Sequence, residues 1–75
     1  MKEVLEVIAK ALVEHPDEVS VTEIEGDNSL TLELRVADGD MGKVIGKQGK
    51  IAKAIRSLMK AAAARKNVKV NVDII

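Results

Sequence analysis

Leu30, Leu32, Leu34 and Val36 occupy every second position of one segment, with Thr31, Glu33 and Arg35 between them. Alternate strand side chains point to opposite faces, so the segment reads as a strand with one apolar and one polar face. Val68, Val70, Val72 and Ile74 repeat the pattern around Lys69, Asn71 and Asp73. An apolar sheet face cannot stay bare in water, so amphipathic helices must cover it. Two segments qualify. Val4, Leu5, Ile8, Ala9 and Leu12 recur at helical spacing over about Lys2–Glu14, where His15-Pro16-Asp17 stops the helix. Ile51, Ile55, Leu58, Met59 and Ala62 mark the apolar stripe of a longer helix from Lys50 to about Arg65, with Lys50, Lys53, Arg56 and Lys60 opposite it. A further strand starts at Val19 and Val21, but Ile24 is out of phase after Glu23, which predicts a bulge or an early strand end there. Gly26-Asp27-Asn28 has turn chemistry and closes a hairpin. Asp38 or Asp40 is expected to cap a short helix through Met41–Ile45. The order is αββααβ. The expected fold is α+β: a two-layer sandwich in which three helices cover one face of a three-stranded mixed sheet, as a single domain over residues 1–75.

Composition narrows what this scaffold can do. There is no cysteine, which excludes disulfides and thiolate metal sites. No apolar run approaches the ~18 residues of a membrane span, and the first residues lack the apolar core of a signal peptide. A soluble, cytoplasmic protein is expected. Phe, Tyr and Trp are absent, so bases cannot be bound by stacking on aromatic rings. The formal net charge of zero hides a separation. Residues 1–38 carry three bases and ten acids; residues 39–75 carry nine bases and two acids. From Lys43 to Lys69 there is no acid at all. Solvated faces usually mix signs, so this stretch points to a polyanionic partner.

The bases surround Gly46-Lys47-Gln48-Gly49, which interrupts the two helices. A tight turn alone would justify the glycines. The second one, however, opens a long helix, whose first N–H groups and dipole favour an anion. Glycines without Cβ let a phosphodiester backbone approach, and Lys43, Lys47 and Lys50 add charge at the same point. A P-loop does not fit, because only three residues separate Gly42 from Gly46 and Gln48 follows Lys47. A helix-turn-helix fits less well, since Ile51–Ala64 offers mainly alanine and lysine to base edges. His15 and the serines lack the partners that catalysis needs, and no set of metal ligands converges, so neither an enzyme nor a metal site is expected.

The run from Met41 to Arg56, with Val44-Ile45-Gly46-Lys47-Gln48-Gly49 between two helices in an αββααβ order, resembles the type II KH domain. The resemblance spans the whole chain and is strongest to bacterial proteins made of one KH domain alone. It implies an RNA-binding protein whose GxxG loop clamps about four nucleotides of single-stranded RNA. By that resemblance Gly46, Lys47, Gln48, Gly49, Lys43, Lys50 and Lys53 hold phosphates, and Gly42, Ile45 and Ala52 contribute to an apolar groove for bases. Many KH domains have isoleucine where this chain has Ala52, with Ile51 before it. The implied roles are post-transcriptional regulator or RNA chaperone, without cofactor, membrane or small-molecule substrate. The implied partners are single-stranded RNA and a second KH protein, as a homodimer or as a heterodimer with a larger KH-containing protein. The alternatives are an interaction adaptor on a KH scaffold and a single-stranded DNA binder.

Overall fold

The computed structural model describes residues 1–75. Its order is α1 (Lys2–Leu12), β1 (Ser20–Gly26), β2 (Ser29–Arg35), α2 (Met41–Ile45), α3 (Lys50–Ala64) and β3 (Lys69–Ile74). Single 3-10 turns lie at Pro16–Glu18, Asp38–Asp40 and Lys47–Gly49. The strand order is β1-β2-β3, with β1 antiparallel and β3 parallel to β2. This is the mixed sheet and αββααβ sandwich that the sequence predicts.

The register explains the core. Leu30 lies opposite Val70 and Leu32 opposite Val72 across the parallel pair, while Val21 meets Leu34 across the hairpin. These six side chains form the sheet half of the core. Leu5 and Ala9 of α1, Val44 of α2, and Ile55, Met59 and Ala63 of α3 close it from above. Thr22, Ile24, Thr31, Glu33, Asn71 and Asp73 alternate with the core positions and occupy the other sheet face, which no helix covers.

Three expectations need correction. No bulge forms at Glu23: it pairs with Leu32, and Ile24 pairs with Thr31, in unbroken register. Ile24 is instead on the open face, 49% exposed. Only Val21 of this edge strand is buried, so the rest of β1 is under no demand for apolar phase. The second correction concerns α3, whose buried stripe is Ala52, Ile55, Met59 and Ala63. Leu58 is 58% exposed, and Ala62 is only partly buried. Bulk misleads the sequence pattern here: Ile51 and Leu58 outweigh two alanines that pack closely because they are small.

The third correction concerns Asp40. It precedes α2, but its side chain makes no capping bond there. The carboxylate turns away and accepts the backbone N–H groups of Glu14 (3.3 Å) and His15 (3.0 Å) and the His15 ring Nδ1 (3.1 Å). Those bonds hold the chain that leaves α1, which ends at Leu12 with Val13 already extended.

Candidate nucleic-acid interface

The loop between α2 and α3 is a tight, hydrogen-bonded turn. The Gly46 N–H closes α2 on the Gly42 carbonyl at 2.9 Å, and the Gly49 N–H donates to the Gly46 carbonyl at 3.2 Å. Gly46 has φ 76° and ψ 174°, a conformation essentially limited to glycine. A Cβ there would lie 2.6 Å from Cγ1 of Ile51, so the second residue after the loop also excludes any side chain at Gly46. Gly49 is left-handed at φ 76°, ψ 14°, and N-caps α3. Between them Gln48 is left-handed too, at φ 58° and ψ 24°. Such a conformation costs a non-glycine residue about 1–2 kcal/mol. Backbone strain of this kind concentrates at ligand clamps.

Electrostatics single out the same place. Lys47, Lys50 and Lys53 are exposed, and so is Gln48. The structure contains two ion pairs, His15–Asp40 and Lys43–Glu14 at 3.3 Å. Lys43 is therefore partly engaged, whereas Lys47, Lys50 and Lys53 meet no carboxylate. The first turn of α3 has no acid. Helix N-termini ordinarily favour acids, so lysines gathered at the positive pole of α3 are unfavourable on their own and an anion would offset them. A local conflict of this kind is expected at a functional site.

The residues implied for the base groove are less united. Gly42 and Ile45 are exposed beside the loop, but Ala52 is 4% exposed and offers a base little surface. None of the three lines a concavity. Two of the molecule's concavities lie further along, between α3 and the open edge of β3. One hollow of about 230 Å³ is lined by Arg56, Lys60, Val70, Asn71, Val72 and Asp73. Another of about 490 Å³ continues past Lys60 to Ala64, Val68 and Lys69. The Arg56 Nε donates to the Val72 carbonyl at 3.3 Å across the first. The sequence pattern placed Arg56 and Lys60 opposite the core. Recentred on Ala52, Ile55, Met59 and Ala63, the stripe puts both about 55–95° from its middle, on one flank. The signal lies in the i, i+4 spacing of Arg56 and Lys60, which a stripe phased on Ile51 and Leu58 turns away from the site.

Residues 2–74 match the sequence model described as the KH domain of KhpA/KhpB. The chain belongs to the KhpA/KhpB KH-domain family. Similar curated proteins include "RNA-binding protein KhpA" of Clostridium acetobutylicum, 63% identical over the full length of both chains. The protein of the same name from Clostridium perfringens is 60% identical, again over both full lengths. That from Chlamydia trachomatis is 51% identical over 99% of this chain and 95% of its own. Among solved structures, Era in complex with MgGDPNP and nucleotides 1506–1542 of 16S ribosomal RNA superposes with a TM-score of 0.59 at 25% identity. That match covers 96% of this chain and 28% of Era. Aquifex aeolicus Era bound to GDP and aluminium fluoride gives the same TM-score at 24% identity and shares the fold. The type II KH topology expected from the sequence is thus the observed one. No helix is long and apolar enough to cross a membrane.

Proposed function

We propose that this KH domain binds single-stranded RNA by clamping about four nucleotides of its backbone at Gly46-Lys47-Gln48-Gly49. The observation that carries the reading is the set of exposed lysines without carboxylate partners, Lys47, Lys50 and Lys53, at the positive end of α3. Two closely similar proteins bear the name RNA-binding protein, which supports RNA as the polyanion. Phosphates sit against the loop glycines, with Lys43 released from Glu14 to join them. Bases then pass Gly42 and Ile45 towards the hollow between α3 and β3. The chain acts in the cytoplasm as a post-transcriptional regulator or RNA chaperone.

The test is binding of labelled single-stranded RNA across a salt series. Neutralising about four phosphates on a single strand gives a log–log slope near −3. A slope near zero, or equal affinity for duplex RNA, would overturn the reading.

A second KH protein is the proposed partner, either another copy or a larger protein of KhpB type. Exposed apolar side chains favour this: Val4 and Val7 on α1 and Leu58 on α3 lie on the helical layer, away from the sheet. Met59 and Ala63 belong to the core, which leaves Leu58, Ala61, Ala62 and Ala64 as the part of this stretch of α3 open to a partner.

A further inference from the structure

The hollow between α3 and β3 has a chemical bias that the loop lacks. At the start of β3 the Lys69 N–H is directed to the Asn28 carbonyl, and just past its end the Ile75 N–H to that of Leu34. Odd-numbered residues thus turn their main chain towards β2, while Val70 and Val72 turn theirs to the open edge. The outward carbonyl of Val72 is already taken by Arg56 Nε. That bond uses one of the guanidinium's five N–H donors, leaves the four on the terminal nitrogens free, and belongs to a side chain that borders the hollow. Lys60, one turn on, adds further donors to the same wall. Asn71 and Asp73 also border the hollow, but they alternate with Val70 and Val72 and belong to the open sheet face, so the charged side chains lining it from α3 are the donors Arg56 and Lys60.

We propose that Arg56 is a specificity-determining residue. Fixed on Val72, its free N–H fork selects a base with two adjacent acceptors, guanine through O6 and N7 or cytosine through O2 and N3. Adenine is disfavoured, because its N6 amino group places a donor against a donor. Single-stranded RNA exposes these edges, so no helix needs to be opened. Lysine cannot replace arginine here, since a point-like ammonium cannot hold Val72 and present a planar fork together.

The inference rests on the RNA-binding reading, and the experiment separates the two. Binding by fluorescence anisotropy is compared for oligo(rC), oligo(rA) and a uridine-rich oligomer carrying one guanine. The wild type is expected to prefer the cytosine and guanine ligands to oligo(rA) by about tenfold. Arg56→Lys keeps the charge and should reduce that ratio to about twofold or less, with the salt slope unchanged. Circular dichroism of the variant checks its fold. A preference that survives in Arg56→Lys would reduce Arg56 to a cover for the strand edge and overturn the proposal. Equal binding of all three ligands by the wild type would overturn it while leaving RNA binding intact. No binding to any ligand would remove the RNA-binding reading, and this proposal with it.

Discussion

Asp40 holds His15 twice, accepting its backbone N–H at 3.0 Å and its ring Nδ1 at 3.1 Å through the same oxygen. The two residues are separated by 25 positions, and their contact ties the end of α1 to the start of α2. Asp40 is 1% exposed, so its charge would be costly without these donors. The helix that carries Gly42 and Lys43 is thus anchored at one end by a buried carboxylate and closed at the other by Gly46.

That pairing gives stability a definite pH profile. The hydrogen bond to Asp40, and then its charge, raise the His15 pKa above its ordinary 6.5. Burial pushes the Asp40 carboxyl up, but bonds from the His15 ring and from the His15 and Glu14 amides outweigh it, and its pKa falls below 3.8. The His15 contribution is therefore complete below pH 6.5 and is lost as pH rises through the elevated value. The Asp40 contribution is complete above pH 3.8 and is lost as pH falls through the depressed value. Urea midpoints should decline as pH rises above about 6.5 in the wild type and stay flatter there in His15→Ala. An identical decline in both proteins would show that another group titrates.

Much of the fold was legible because its signals are repetitive. Alternation from Leu30 to Val36 and from Val68 to Ile74 fixed two strands and the face they bury, and α2 spans the expected Met41–Ile45. What escaped depended on partners distant in sequence. Nothing near Asp40 distinguishes a helix cap from a carboxylate aimed at residues 14 and 15. Ile24 could not reveal that β1 is an edge strand with one buried residue. The α3 stripe failed because close packing rewards the small Ala52 and Ala63, whereas a hydrophobic pattern rewards Ile51 and Leu58. The same error hid Arg56 and Lys60 from the candidate site, although the glycine loop and its lysines stood out.

Replacing both central loop residues should separate binding from folding. Lys47 and Gln48 are exposed, and aspartate tolerates the left-handed backbone at position 48 better than most residues. Lys47→Asp with Gln48→Asp is expected to retain the wild-type thermal transition within a few degrees. RNA binding should become undetectable, because two negative charges then face the phosphate. Wild-type affinity in this variant would make the loop a turn and nothing more.

The two loop glycines should differ in stability when substituted. Gly46→Ala combines a glycine-only backbone with a methyl group driven into Ile51, and should cost about 1–3 kcal/mol or more. Gly49→Ala meets nothing within 4 Å, so only the left-handed penalty of about 1–2 kcal/mol applies. In a domain of this size each kcal/mol lowers Tm by about 4–8 °C, which resolves the pair by calorimetry. Combining Gly46→Ala with Ile51→Ala should relieve only the contacts with Cγ1 and Cδ1, because the Cβ at position 51 stays 2.9 Å away. Equal Tm values for the two glycine variants would contradict the packing of Ile51 against Gly46.

Leu58 tests the partner surface. It projects from α3 into solvent, one residue before the buried Met59, so a charge there should leave the core intact. A chain this small gains stability by covering such side chains with a second protein, and two linked KH modules bind RNA with greater avidity than one. Light scattering across a concentration series should show the wild type passing from monomer to dimer. Leu58→Glu should remain monomeric at every concentration, and Ala61→Arg should shift the transition to higher concentration from a neighbouring exposed position. Both variants should keep wild-type helicity, whereas Met59→Glu should unfold the domain because that side chain is fully buried. The binding arm of the test is avidity: if dimers deliver two loops to one RNA, Leu58→Glu should weaken binding to a long single strand far more than to a tetranucleotide. A wild type that stays monomeric and binds both lengths alike would remove self-association from the mechanism.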